Sequence, residues 1–308
     1  MENVRCAICD SADSVVVATR GSLEKGGATL GVRNVLCLSC GLVYINPRPT
    51  AEEYAAQYRH FETFRYGIDS QEGTDAFVRE RGARFDKSEI VRFIASHVPV
   101  PPQSIRALDI GCAHGLFSEE LKRTLGCAVQ GIEPSDRLAA AARKRVGMEV
   151  FVGTFKDFLA THPDAGGFHL IVLSHVFEHF TDPRAALDGL RRLLVPNGVV
   201  YIEVPDVSHF KKTVDHFFDF FHPYSYSPAT LSRLLTECGW KPIGRATTKT
   251  WRLQAIVALS THPAPAAVWT EGGDPRALAG VIRTKRVWDA VRRIVAPAVR
   301  LMSRQTSS

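Results

Sequence analysis

Residues 107–117 read ALDIGCAHGLF, and this stretch decides the fold. The apolar run IRALDI (105–110) ends in one acid, Asp109, and two glycines, Gly111 and Gly115, follow before the amphipathic segment LFSEELKRTL. A buried strand, a tight glycine turn and a helix are expected there. Glycines let the backbone turn sharply and approach a ligand, and the start of the helix offers unpaired N–H groups. Downstream the same alternation repeats: CAVQGIE as second strand, a helix SDRLAAAARKR capped by Ser135, then the strands EVFVG, HLIVLS and VVYIEVP. SPATLSRLLTECG reads as a capped helix closed at Gly239, and 241–259 as a final pair of strands. Strands alternating with crossover helices predict an α/β fold, a Rossmann-like doubly wound sheet of five parallel strands with an antiparallel ending.

Upstream lie two matched pairs, Cys6-x-x-Cys9 and Cys37-x-x-Cys40, among short β-like runs. Two such pairs set four thiolates around one Zn²⁺, and a closed four-sulfur site is structural. Metal would supply folding energy that so small a module lacks. NPRPT (46–50) is a turn signal, with Thr50 placed to cap a helix AEEYAAQY, and 74–97 reads as one amphipathic helix. The expected organisation is a zinc-ribbon-like β module (1–48), a helical connector (49–104), the main domain (105–262) and a basic tail (263–308).

Of the net charge of +6, the segment 276–304 carries eight basic residues and one acid, which leaves the rest of the chain one charge negative. A neutral body argues against phosphate-backbone binding, so no nucleic-acid partner is expected. No apolar run is long enough to span a membrane, and MENVRCAICD lacks the apolar core of a secretory leader. Three cysteines without evident partners (Cys112, Cys127, Cys238) suit a reducing compartment, and a cytoplasmic location is expected. The tail spaces Val281, Trp288, Val291, Val295 and Met302 near one helical face among arginines. Two readings stand: peripheral contact of 276–308 with the inner face of an anionic membrane, or a helix docked on the body.

Glu133 ends the second strand, 24 residues beyond Asp109, where a carboxylate accepts both hydroxyls of a ribose. An adenosine ligand is indicated. The loop Asp109–Gly115 resembles the D-x-G-x-G-x-G signature of class I S-adenosylmethionine-dependent methyltransferases, with Ala113 at the middle glycine. FHLIVLSHVFEHFTDP (168–183), LLVPNGVVYIEVPD (193–206) and FHPYSYSPATLSRLLTECGW (221–240) resemble further segments of that family. The resemblance implies S-adenosylmethionine as cofactor. It places Asp109, Gly111, Ala113 and Gly115 on the methionine and ribose side, Glu133 on the ribose, the turn with Thr154 and Phe155 at the adenine edge, and Ser174 and His175 near the sulfonium. A cysteine quartet ending C-x-x-C-G-L-V-Y-x-N-P-R-P before such a domain is similar to bacterial sugar and polysaccharide methyltransferases, the deoxysugar C-methyltransferases in particular. Those carry H-E-H where this chain has Phe220-Phe221-His222, so transfer to a hydroxyl of a carbohydrate-like small molecule is the more economical expectation.

Methyl transfer needs alignment of the acceptor and removal of its proton, and histidine is the natural base near neutral pH. His222 lies on the segment where this fold builds its acceptor pocket and matches the family's active-site histidine. His179 is a further candidate. For Glu178 and His179 capping and helix-dipole roles compete with binding of a divalent cation, as in related quinone-pathway enzymes. His209 and His216 sit in the aromatic run HFKKTVDHFFDFF (209–221), which reads as a lid or pocket wall, with Phe217, Phe218, Phe220 and Phe221 expected to pack more than to contact substrate. The alternatives are C-methylation of a ketosugar, an RNA methyltransferase, and a zinc-binding module that senses the cofactor without catalysis.

Overall fold

The computed structural model describes residues 1–20, 32–60, 63, 67–82, 86–209, 213–218, 220–246, 252–262, 275–276 and 278–285. Three short antiparallel strands open the chain: β1 (Ser14–Arg20), β2 (Val32–Cys37) and β3 (Val43–Ile45). Helix α1 (Ala51–Tyr58) follows, with the reciprocal capping box that Thr50 and Glu53 announce. The stretch expected as one helix over 74–97 holds two, α2 (Gln71–Gly82) and α3 (Ser88–Ala95). Lys87 departs from helical geometry just before α3. Its ammonium reaches the buried carboxylate of Glu203, 2.6 Å away. Burying that acid with its partner outweighs helix continuity, which adds little per residue.

From residue 106 the expected alternation forms. The parallel strands are β4 (Arg106–Ile110), β5 (Ala128–Glu133), β6 (Val150–Val152), β7 (Phe168–Ser174) and β8 (Leu194–Pro205). Between them run α4 (Leu116–Leu125), α5 (Asp136–Val146), α6 (Phe155–Thr161) and α7 (Pro183–Leu193). A short helix α8 (Val214–Phe217) and a two-residue strand β9 (Tyr224–Ser225) come next, then α9 (Pro228–Glu237) and the antiparallel β10 (Trp240–Ala246) and β11 (Arg252–Leu259). The seven-stranded sheet has the order β10-β11-β8-β7-β4-β5-β6. Aliphatic side chains of β4, β7 and β8 fill both faces, as buried parallel strands require.

The N-terminal sheet is not a separate bead. Its order is β1-β2-β3-β9, so the fourth strand comes from residue 224 onward. Cys6, Ile8, Cys37, Leu42 and Tyr44 share one apolar cluster with Phe177, Tyr224, Tyr226 and the helices α7 and α9. The four phenylalanines expected to pack do so: Phe217 and Phe218 join the cluster around Val17 and Leu36, and Phe220 and Phe221 pack on Ile45 and Tyr54. The helical segment 278–285 buries Leu278, Ala279 and Ile282 in the first of these clusters, which favours docking for that part of the tail. Trp288, Val291, Val295 and Met302 lie outside the described residues, as does the side chain of His216.

Arg48 of the NPRP turn ties the module to the body. Only 9 % exposed, it donates to the Glu2 carboxylate, the Thr181 carbonyl and the Tyr224 hydroxyl. Hydrogen bonds to a charged group stabilise more than neutral ones. Arg48→Met is therefore expected to lower unfolding stability by about 2–3 kcal/mol in denaturant titrations. A change within about 0.5 kcal/mol, the ordinary range of surface substitutions, contradicts the tie.

Candidate active site

The chain runs outward from β4 to β5 and β6 on one side, then returns to lay β7 and β8 on the other. The sheet therefore reverses direction between β4 and β7, and ligands of open α/β sheets sit beyond the strand ends at such a switch point. Two turns meet there. Gly111 comes so close to Val176 that an added Cβ would stand 2.6 Å from its methyl carbon, which joins the loop after β4 to the turn after β7.

The glycine loop is anchored from β5. The N–H groups of Gly111 and Cys112 both donate to the Ile132 carbonyl. Ala113 N–H donates to one oxygen of Glu133 at 2.9 Å, and Ser135 N–H to the other at 2.9 Å. Gly111, Ala113 and Gly115 all have positive φ. Ala113 thus adopts at φ 47° the left-handed conformation that a glycine takes freely, at a cost of about 1–2 kcal/mol. Gly153 N–H donates to the Glu133 carbonyl, which brings the turn after β6 beside the carboxylate. Thr154 caps α6, and Phe155 buries its ring in the core, so this turn faces the site through its backbone.

Asp109 is buried near the end of β4, just before the loop. It is 2 % exposed and accepts a hydrogen bond from Ser118 at 2.6 Å. Burial pushes its pKa up to about 7, against the opposing pull of Ser118 and Lys87.

Across the switch point a carboxylate on β8 gathers what the sequence alone did not reveal. Glu203, 0 % exposed, accepts from Lys87 at 2.6 Å, Tyr201 at 3.0 Å, Ser174 at 3.1 Å and from Arg252. Burial alone would protonate it, but His175, Lys87 and Arg252 hold it ionised well below the usual carboxylate range. The signal was the acid inside VVYIEVP: a charge in a buried strand demands partners. His175, at φ 59°, sits between two acids, with Nε2 3.4 Å from Glu203 and Nδ1 3.5 Å from Glu178. Burial disfavours its charge, yet the two carboxylates prevail and raise its pKa above the ordinary value.

Glu178 is 1 % exposed, and among the described residues its oxygens accept no short hydrogen bond, with His175 Nδ1 3.5 Å from one of them. Desolvation opposes its charge, while His175, His179 and His222 around it hold its pKa below normal. Ligand atoms of Glu178, His179 and His222 lie within 4.8 Å of one another, a set able to hold a metal ion or pass a proton. The rings of His179 and His222 meet edge to face at 4.9 Å. The structure thus unites the two histidines and the acid proposed from sequence. His209 pairs instead with Asp206.

The four cysteines form a second group of this kind, with Cys6 Sγ 3.4 Å from Cys40 Sγ and Cys9 Sγ 3.5 Å from Cys37 Sγ. Hydrogen bonding from Cys40, with the N–H groups of Cys9 and Ile8, pulls the Cys6 thiol down, while the same Cys6–Cys40 bond raises Cys40 and burial raises Cys9. Main-chain donors turned toward sulfur favour thiolates, the form that binds metal.

A glycine loop at the switch point, with an acid at the end of the neighbouring strand, defines an α/β domain that binds an adenosine-containing cofactor. Residues 81–243, more than half of the chain, match the profile of a family described as a methyltransferase domain, and the chain belongs to that family. It carries an S-adenosylmethionine-dependent methyltransferase domain. A ubiquinone biosynthesis O-methyltransferase of Caulobacter vibrioides is 34% identical over 133 residues, 41% of this chain and 49% of that protein. One from Cereibacter sphaeroides is 36% identical over 104 residues, 33% of this chain and 42% of its own. The chain spans about half the length of the curated relatives it matches. Among solved structures, the mitomycin 7-O-methyltransferase MmcR overlays 67% of this chain with 60% of its own, at 14% identity and a TM-score of 0.48. The plantazolicin methyltransferase BpumL in complex with SAH overlays 67% of this chain with 96% of its own, at 16% identity and a TM-score of 0.48.

An acid whose pKa is raised on folding weakens the fold as pH climbs from its unfolded value, about 4, to its folded one, here about 7. Asp109→Asn removes this titration and keeps an acceptor for Ser118. Its melting temperature, measured against that of the native chain, is expected to gain steadily between those two pH values and then level off. Parallel curves across the range would mean that Asp109 is not a buried acid of this kind.

Proposed function

We propose that this chain transfers the methyl group of S-adenosylmethionine to a hydroxyl oxygen of a small-molecule acceptor, with His222 as the general base. The observation that carries the reading is the trio Glu178, His179 and His222, gathered where the turn after β7 meets the segment before β9. Attack is an in-line displacement at a carbon already activated by the sulfonium, so the protein has to align the acceptor and receive its proton. Glu178 is suited to stabilise the imidazolium that forms, because its charge is buried and faces the histidines of the trio. The naming of the relatives as O-methyltransferases supports oxygen as the methylated atom. For the acceptor we retain a carbohydrate-like alcohol, on motifs that resemble those of sugar methyltransferases, and the relatives' names make a ubiquinone precursor the competitor to test beside it.

The same trio supports a second reading. A divalent cation on Glu178, His179 and His222 would lower the pKa of the acceptor hydroxyl directly, and the spacing of their ligand atoms, within 4.8 Å of one another, favours this. The four-cysteine group we read as a structural Zn²⁺ site, which would hold the N-terminal sheet together. No helix among the described residues is long and apolar enough to cross a membrane. We place the protein in the cytoplasm and keep peripheral contact of 276–308 with an anionic membrane surface as part of this proposal.

Turnover with nucleotide-sugar and ubiquinone-precursor acceptors, followed by formation of S-adenosylhomocysteine, tests the proposal. His222→Ala is expected to lose at least a hundredfold in kcat and to keep cofactor affinity. Unchanged kcat removes His222 as base. A loss that added Mg²⁺ or Mn²⁺ modulates in the native chain, and that Glu178→Gln reproduces, selects the cation reading.

A further inference from the structure

The segment that bears His222 is held almost residue by residue from the N-terminal quarter of the chain. Tyr54 donates to the Phe220 carbonyl at 3.0 Å, and Tyr58 to the Phe221 carbonyl at 3.0 Å. Ile45 N–H donates to the Pro223 carbonyl at 2.9 Å, and Tyr44 pairs with Tyr224 in the sheet. The peptide groups on either side of His222 are therefore fixed by β3 and α1.

Tyr58 does more than hold the backbone. Its hydroxyl lies 2.8 Å from Nδ1 of His179, and the same Nδ1 lies 2.5 Å from the Phe221 carbonyl. A carbonyl oxygen only accepts, so at that separation Nδ1 must carry the proton. With Nδ1–H committed to Phe221 and Tyr58, the lone pair of His179 is on Nε2. The ring of Tyr58 packs edge-on against His179 at 5.6 Å and against Phe221 at 5.5 Å, so it also restricts rotation of the imidazole.

We propose that Tyr58 is a positioning residue of the acceptor site, joining His179 to the Phe221 peptide and so fixing this imidazole, which packs against the ring of the base His222, as the Nδ1–H tautomer with its lone pair on Nε2. The helix after the N-terminal module is on this account part of the active site. The proposal deepens the methyl-transfer reading and rests on it for the effect on rate, while its structural content stands on the ring of His179 alone.

The experiment is long-range ¹H–¹⁵N spectroscopy of the histidine rings in the full-length protein, native and Tyr58→Phe, together with kinetics. In the native chain His179 is expected as a single Nδ1–H tautomer. In Tyr58→Phe the Phe221 carbonyl loses the hydroxyl that holds it against Nδ1, so the two ring nitrogens should move toward the averaged shifts of mixed tautomers, with kcat down roughly tenfold and KM for S-adenosylmethionine unchanged. Tyr54→Phe, which frees only the Phe220 carbonyl, should leave the His179 signals in place. An Nε2–H tautomer in the native chain overturns the proposal whether or not any variant folds. So does a Tyr58→Phe protein with native ring shifts and native kcat. A native protein that shows the predicted tautomer but turns over no acceptor contradicts the methyl-transfer reading and leaves the positioning role upheld.

Discussion

A buried carboxylate is tolerable only where donors surround it, and Glu133, 6 % exposed, takes its donors from two different turns. One is the Ala113 N–H in the loop after β4, and the other is the Ser135 N–H that begins the cap of α5. The acid thereby draws a loop with three positive-φ residues into a fixed shape beside its own strand end. The energy stored in the left-handed Ala113 is offset by that charge-assisted hydrogen bond. In our reading the ribose of the cofactor meets the same carboxylate, already oriented, so little ordering cost remains for binding to overcome.

The opposite wall follows a different logic. Glu203 is neutralised by cations from α3 and β11, and it steadies His175, which in turn faces Glu178. Charge therefore runs as an alternating chain from the sheet interior to the histidines of the acceptor side. What closes that side is the N-terminal sheet, which borrows β9 from the far end of the domain. The cysteine group is far from the chemistry in sequence, yet its apolar neighbours include Phe177, adjacent to Glu178. The module works as a buttress.

The doubly wound sheet, its helix caps at Thr50, Ser135 and Ser227 and the antiparallel ending were legible because each rests on local signals: periodicity, capping side chains and glycine positions. Glu133 was legible for the same reason, since strand end and spacing place it. The burial of Asp109 and Phe155 was not, because a motif says which residues form a loop without saying which side chains are turned inward. The Lys87–Glu203 and Tyr58–His179 contacts join residues 116 and 121 positions apart. No periodicity reaches that far, and only the acid within the apolar β8 hinted at one of them.

The central claim is that Glu133 and the loop after β4 form the cofactor site. Calorimetric titration with S-adenosylhomocysteine, on the native chain and on Glu133→Ala, tests it most directly. The account predicts binding in the micromolar range by the native protein and at least a tenfold loss in the variant, as removal of a charged hydrogen-bond acceptor implies. Equal affinity in the two proteins, or no binding by a folded native chain, would contradict it.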